Sequence, residues 1–222
     1  MNSPSMISQK AYQHTITNGE AIGMKHGHPA IVIHPDSTVS KVWAKKPKLF
    51  SSSRFKPYAH RFVQNAKLLA ERDVIVPTIL DFQQVDGESI HVVRYKMLDG
   101  TSIRDLLATQ PDQVNLERLA EYFYSLHEKG ILFKAIHFGN VIQISDNHFG
   151  LIDFTSTKFF SGKIPLIRRA ANLSTPLRYK EDTSKLQTSG VQEFIDLYLN
   201  CYNEREKDRQ RLNKILNSLS PV

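Results

Sequence analysis

The stretch Leu126-His127-Glu128-Lys129-Gly130-Ile131-Leu132-Phe133-Lys134-Ala135-Ile136-His137-Phe138-Gly139-Asn140, resumed shortly afterwards by Gly150-Leu151-Ile152-Asp153-Phe154, decides the fold. It opens on a helix end: Leu116, Leu119, Ala120, Phe123, Leu126 and His127 recur at helical spacing, with Asn115 placed to cap the start and Gly130 to stop the helix. A loop over residues 131–140 follows. Val141-Ile142-Gln143-Ile144 and Phe149-Gly150-Leu151-Ile152-Asp153 then read as a β-hairpin across Asp146-Asn147-His148. Asn140 thus closes the loop and Asp153 ends a strand. Both are hard oxygen donors, suited to a cation that also keeps phosphate oxygens in its shell. Each taken singly has a plainer reading: a loop Asn making turn hydrogen bonds, and a solvated strand end.

Upstream the pattern changes from helix to sheet. Ala30-Ile31-Val32-Ile33 and Thr38-Val39-Ser40-Lys41-Val42-Trp43 flank a Pro- and Asp-containing turn and predict a hairpin with Lys41 in its second strand. Tyr58, Ala59, Phe62, Val63, Ala66, Leu69 and Ala70 share one face of a helix, and Pro77 closes that segment. Strands over 78–85 and 89–95 join across Asp86-Gly87, residues 96–100 leave the sheet, and a short helix begins at Thr101. The expected organisation is α+β: a loosely ordered leader at 1–18, a β-rich lobe at 19–97 and a mainly helical lobe at 98–222. Downstream of Asp153, a basic irregular segment leads to helical patterns at 191–202 and near the C-terminus.

A chain of 222 residues, 41% hydrophobic and 23% charged, has an ordinary globular composition without repeats or low-complexity tracts. No stretch approaches the roughly 18 to 20 apolar residues of a spanning helix, and residues 1–10 lack a signal-peptide core, so a cytoplasmic location is expected. The single cysteine, Cys201, lies in an apolar helical pattern and reads as a structural thiol. With no second cysteine and no His pair at ligand spacing, zinc is not expected. The net charge of +7 points to an anionic partner. Lys41, Lys45, Lys46, Lys48, Arg54 and Lys56 form one acid-free cluster; Lys158, Lys163, Arg168, Arg169, Arg178 and Lys180 form another. Such runs are either solvated faces or contact surfaces for a phosphorylated sugar, an anionic membrane or nucleic acid. No nucleic-acid motif accompanies them.

The order of elements, with the Asn140 loop and Asp153, resembles the protein-kinase-like phosphotransferases, where a loop Asn and a strand-end Asp hold Mg²⁺ on the nucleotide phosphates. The chain is most similar to the bacterial lipopolysaccharide core kinases and, among them, to the toluene tolerance proteins. That similarity extends over about residues 25–185 and rests on Lys41, Arg61-Phe62-Val63-Gln64-Asn65-Ala66, the Tyr95-to-Gly100 connector, the Phe133-to-Asn140 loop and Arg168-Arg169-Ala170-Ala171-Asn172. The resemblance implies a two-lobed kinase-like fold, with Asn140 and Asp153 as Mg²⁺ ligands and Lys41 on the ATP phosphates. It also implies Met97 and Leu98 at the adenine hinge, and Arg168 and Arg169 toward the acceptor. The activity it implies is phosphorylation of a sugar hydroxyl of the lipopolysaccharide inner core, at the inner face of the bacterial inner membrane.

Three positions depart from that pattern. Where the loop would carry an Asp to orient and deprotonate the acceptor, five residues before Asn140, stands Ala135. The helix that would supply a Glu to pair with Lys41 offers Asn65 or Arg61. Met24-Lys25-His26-Gly27-His28 makes a poor phosphate-covering loop. His137 is the remaining candidate to contact the γ-phosphate or accept a proton, against the plainer reading of a loop His bonded to backbone. An impaired pseudokinase that binds nucleotide or a partner is therefore the alternative expectation.

Overall fold

The computed structural model describes residues 3–44, 57–176, 179–202 and 205–219. Lys45, Lys46, Lys48, Arg54, Lys56 and Arg178 of the basic clusters lie outside them. The chain divides into two compact units, Met1–Leu98 and Asp99–Val222.

The N-terminal unit is a mixed six-stranded sheet with two helices. Its elements are β1 (Ser5–Ile7), α1 (Gln9–Thr17), β2 (Glu20–Lys25), β3 (His28–Ile33), β4 (Thr38–Trp43), α2 (Tyr58–Ala70), β5 (Ile79–Val85) and β6 (His91–Lys96), with sheet order β1-β5-β6-β4-β3-β2. β1 runs parallel to β5, and the remaining pairs are antiparallel. The β3–β4 hairpin and the β5–β6 pair follow from their alternating β-branched residues, and Gly87 supplies the positive φ of the second turn. β4 lies inside the sheet, with Lys41 opposite Ile31 on one side and Val93 on the other. α2 buries Ala59, Phe62, Val63, Ala66 and Leu69, as the apolar spacing predicts, while Tyr58 and Ala70 at its ends stay exposed.

Residues 5–17 are not a loose leader. The Ser8 hydroxyl caps α1 by accepting from the Ala11 amide, and Tyr12 is fully buried among Val42, Val85, Ile90 and Val92. A three-residue strand and a polar helix with one buried side chain leave no periodicity to read, yet β1 covers the outer edge of β5 while α1 packs beside β2 and β3. The Met24 to His28 stretch spans the β2–β3 turn, with His26 and Gly27 at positive φ.

The C-terminal unit is mainly helical. It comprises β7 (Thr101–Ser102), α3 (Ile103–Thr109), α4 (Leu116–Glu128), β8 (Ile131–Leu132), β9 (Val141–Ser145), β10 (His148–Leu151), β11 (Lys158–Phe159), α5 (Leu166–Leu173), α6 (Lys180–Asn200) and α7 (Glu206–Leu219). Asn115 caps α4 by accepting from the Arg118 amide at 3.0 Å, and Gly130 leaves the helix at φ 72°. β10, β9 and β7 form one small sheet and β11 and β8 another. Phe123, Phe138 and Phe194 meet edge to face or tilted, fastening the loop after α4 between α4 and α6. Among the described residues no helix is long and apolar enough to cross a membrane.

Candidate functional site

The loop after α4 is pinned by side-chain hydrogen bonds at three points. At its start, the fully buried His127 accepts from the Tyr198 hydroxyl at Nδ1, 2.7 Å, and donates from Nε2 to Asn172 Oδ1, 3.0 Å. Asn172 passes the chain on, donating from Nδ2 to the Phe133 carbonyl at 3.0 Å. Burial is the main cause that pushes the His127 pKa down to about 4, so the ring is neutral and has one donor and one acceptor, as this chain requires. Near the loop's end, the fully buried Asp182 accepts from the Phe138 amide at 2.9 Å and from Arg104 Nε at 2.5 Å. Asp182 sits in the first turn of α6, where the helix dipole also favours a carboxylate. Across the middle, Asn140 Nδ2 donates to the Ala135 carbonyl at 2.9 Å.

That last bond orients the amide. With Nδ2 turned back onto the loop, Oδ1 is left as the acceptor of a residue only 7% exposed, and among the described residues it accepts no hydrogen bond. The Asn140 carbonyl in turn accepts from the Ile152 amide at 3.1 Å, which ties the loop's end to the residue before Asp153. Asp153 lies two residues past the end of β10, short of the strand end expected from the sequence, and adopts a left-handed conformation, φ 53° and ψ 44°, which aspartate tolerates better than most side chains. The backbone therefore brings Asn140 and Asp153 together within the C-terminal unit. Among the described residues no group of three His, Cys, Asp or Glu could hold a metal ion. A cation on this pair would complete its shell with water and phosphate oxygens, a donor set that fits Mg²⁺.

His137 lies beside them, half-buried, its ring 4.8 Å from that of Tyr179. Its Nδ1 is 3.3 Å from an Arg104 terminal nitrogen. Arginine only donates, so Nδ1 is the acceptor and the ring proton sits on Nε2. Burial first, and the Arg104 charge second, hold the His137 pKa below its ordinary value. In this tautomer the open edge of the ring is a donor. The geometry suits contact with an anionic oxygen, and the proton-accepting nitrogen is the one already occupied by Arg104. Ala135 carries no group able to replace a base.

Arg168 and Arg169 part company. Arg168 is exposed, its guanidinium 5.2 Å above the Phe160 ring. Arg169 is only 1% exposed; it donates to the Ile164 carbonyl, the Tyr202 hydroxyl and the Glu128 carboxylate. Arg205 also reaches Glu128, at 3.1 Å. Although burial works the other way, the two arginines hold the Glu128 carboxyl below its usual range. Arg169 is thus a structural ion pair and not a contact for an acceptor, because it is buried and each of its three nitrogens already donates within the unit.

In the N-terminal unit, Lys41 extends its ammonium over the rings of Trp43 and Phe62, 5.7 and 5.4 Å from their centroids. Met97 and Leu98 follow β6 at the end of that unit, with Met97 half exposed. The Met97 amide already donates to the Ser37 carbonyl at 3.1 Å, which removes it as a donor to an adenine ring. A groove of about 870 Å³ lies along α2 and the following chain, lined by Val63, Lys67, Ile79 and Phe82 among others, and none of the candidate residues lines it. Cys201 is half-buried with its thiol pushed up to about 11, mainly by burial, as suits an inert structural thiol.

Arg104 and Asp182 were not legible as site residues. Arg104 sits in a two-turn helix, and Asp182 belongs to the polar run Lys180-Glu181-Asp182-Thr183-Ser184, where nothing distinguishes a buried carboxylate from a solvated one. No local signal marks either one, since Asp182 meets Phe138 from 44 positions away and Arg104 meets His137 from 33. Comparison with known proteins finds no family model that matches the chain and no curated protein that matches it.

Proposed function

We propose that the protein is a kinase-like phosphotransferase that binds Mg²⁺ and ATP, with a sugar hydroxyl of the lipopolysaccharide inner core as acceptor. The observation that carries the reading is the oriented pair: Asn140, whose Nδ2 is bound to the Ala135 carbonyl so that Oδ1 is left as its acceptor, and Asp153, in a left-handed conformation next to the Ile152 amide that bonds the Asn140 carbonyl. These two oxygens would hold the metal, which when bound neutralises phosphate charge and orients the transferring group. His137 donates from Nε2 to a phosphate or sugar oxygen. Arg104 keeps that tautomer, and Asp182 fixes the loop beneath it. Lys41 is the phosphate-directed cation of the N-terminal unit. The kinase-like fold and the acceptor rest on the resemblance of the sequence; the α+β arrangement of a mixed sheet followed by a mainly helical unit supports the first of these.

A second reading, a pseudokinase that binds nucleotide without transfer, is favoured by Ala135 together with the occupied Nδ1 of His137. A positioned base contributes about 10²- to 10⁴-fold, so its loss slows transfer without abolishing it. Two measurements separate the readings. Calorimetry in Mg²⁺ should show ATP binding that weakens at least tenfold in Asp153→Ala and in Asn140→Ala; equal affinity in both variants would sink the metal assignment. Label transfer from γ-labelled ATP to purified lipopolysaccharide core should exceed the Asp153→Ala blank. Binding without label above that blank would make the pseudokinase the better description.

A further inference from the structure

We propose that the face built from residues 158–168 seats the protein on an anionic phospholipid bilayer, with Ile167 as the side chain that enters the acyl boundary. Ile167 is 66% exposed at the start of α5, although Ile164, Ala170 and Leu173 around it in sequence are buried. Lys158, Lys163 and Arg168 are all exposed, and no acidic residue occurs anywhere from 154 to 180. Arg168 lies over Phe160, which carries its charged head on an apolar platform at the surface.

The segment is held in shape before any partner arrives. Phe160 donates to the Gly130 carbonyl and Ile164 to the His127 carbonyl, both at 2.9 Å, and β11 pairs with β8. The buried Arg169 fixes the first turn of α5 through the Ile164 carbonyl. The same bond decides which side of α5 faces out: Arg169 and Ala170 turn in, so Ile167, Arg168 and Ala171 turn out.

An exposed aliphatic side chain among same-sign charges is complemented on both counts by an anionic bilayer, whose phosphates meet the cations and whose acyl boundary takes the isoleucine. A nucleic acid would satisfy the cations and leave Ile167 in water. The proposal is independent of whether the Asn140–Asp153 pair binds nucleotide.

The test is co-sedimentation of the full chain with vesicles of phosphatidylcholine alone or mixed with phosphatidylglycerol. Binding should require phosphatidylglycerol and fall steeply between low and physiological salt. Lys163→Gln and Arg168→Gln should each weaken it about fivefold, and Ile167→Ser about tenfold, while all three melt as the wild type does. The proposal is overturned if the wild type does not bind the mixed vesicles. Unchanged binding by Ile167→Ser would also overturn it, as would a DNA duplex of equal phosphate content binding more tightly than the vesicles.

Discussion

His127 shows how much of this protein's behaviour hangs on a single proton. The ring is fully buried between Tyr198 and Asn172, and it must stay neutral to accept from one and donate to the other. In the unfolded chain a histidine takes up its proton near pH 6.5, whereas burial delays this to about 4 in the fold. Between those values the unfolded state binds more protons, so stability falls as pH falls. The contribution is fully present above pH 6.5, and the loss approaches about 3 kcal/mol near pH 4. His91, whose pKa is lowered by burial and then by His60, adds a change of the same sign in the N-terminal unit. Denaturant titrations at pH 7 and pH 4.5 should show the fall, and His127→Gln, which can still donate and accept, should flatten it. Parallel pH profiles for the two proteins would place the effect elsewhere. Nothing local in the sequence announces this: His127 reads as one more member of a helical stripe, and its partners lie 45 and 71 positions away. Arg169 misled for the same reason, because a basic residue in a basic run gives no sign that Glu128 and Tyr202 enclose it.

Elements whose signals are local were readable, and those defined by distant partners were not. The α4 cap at Asn115, the glycine stop, the α2 stripe and both hairpins follow from short-range spacing. β2 is exposed along its whole length and therefore lacks the alternation that marks a strand, while β8 and β11 are two residues each. The first half of α6 is polar and contains Gly190, so the helical pattern only becomes visible at Val191. Gly130 joins the two kinds of information. Its φ of 72° could be inferred from a helix stop, but its close approach to the 158–164 chain could not: a Cβ there would lie 2.5 Å from the Gly162 carbonyl oxygen and 2.6 Å from that of Phe160. Gly130→Ala should therefore cost more than the roughly 1–2 kcal/mol of a left-handed alanine. Gly87→Ala, at the same φ with open space around it, should cost about that amount alone. Equal losses of melting temperature in the two variants would show that the 158–164 chain yields freely.

Across the whole molecule, the candidate metal pair was legible because the loop and the strand end are neighbours in the chain, joined by a hairpin. The residues that hold the loop in place were hidden because they come from α3, α5 and α6. The N-terminal segment was misread for a related reason, since its value lies in what it covers. β1 aligns Ser5, Met6 and Ile7 with Gln83, Gln84 and Val85, and Tyr12 fills the core beneath. A protein trimmed to begin at residue 19 would keep every candidate site residue, yet it would present the bare backbone of β5 and a vacated aromatic pocket to its neighbours. Such an edge is a template for another chain. Light scattering should find the trimmed protein associating as concentration rises under conditions where the intact chain stays monodisperse; equal behaviour would mean that β5 protects itself. The opening segment thus acts as a built-in guard against self-association, and a proteolytic nick near Asn18 would threaten solubility before it touched any chemistry.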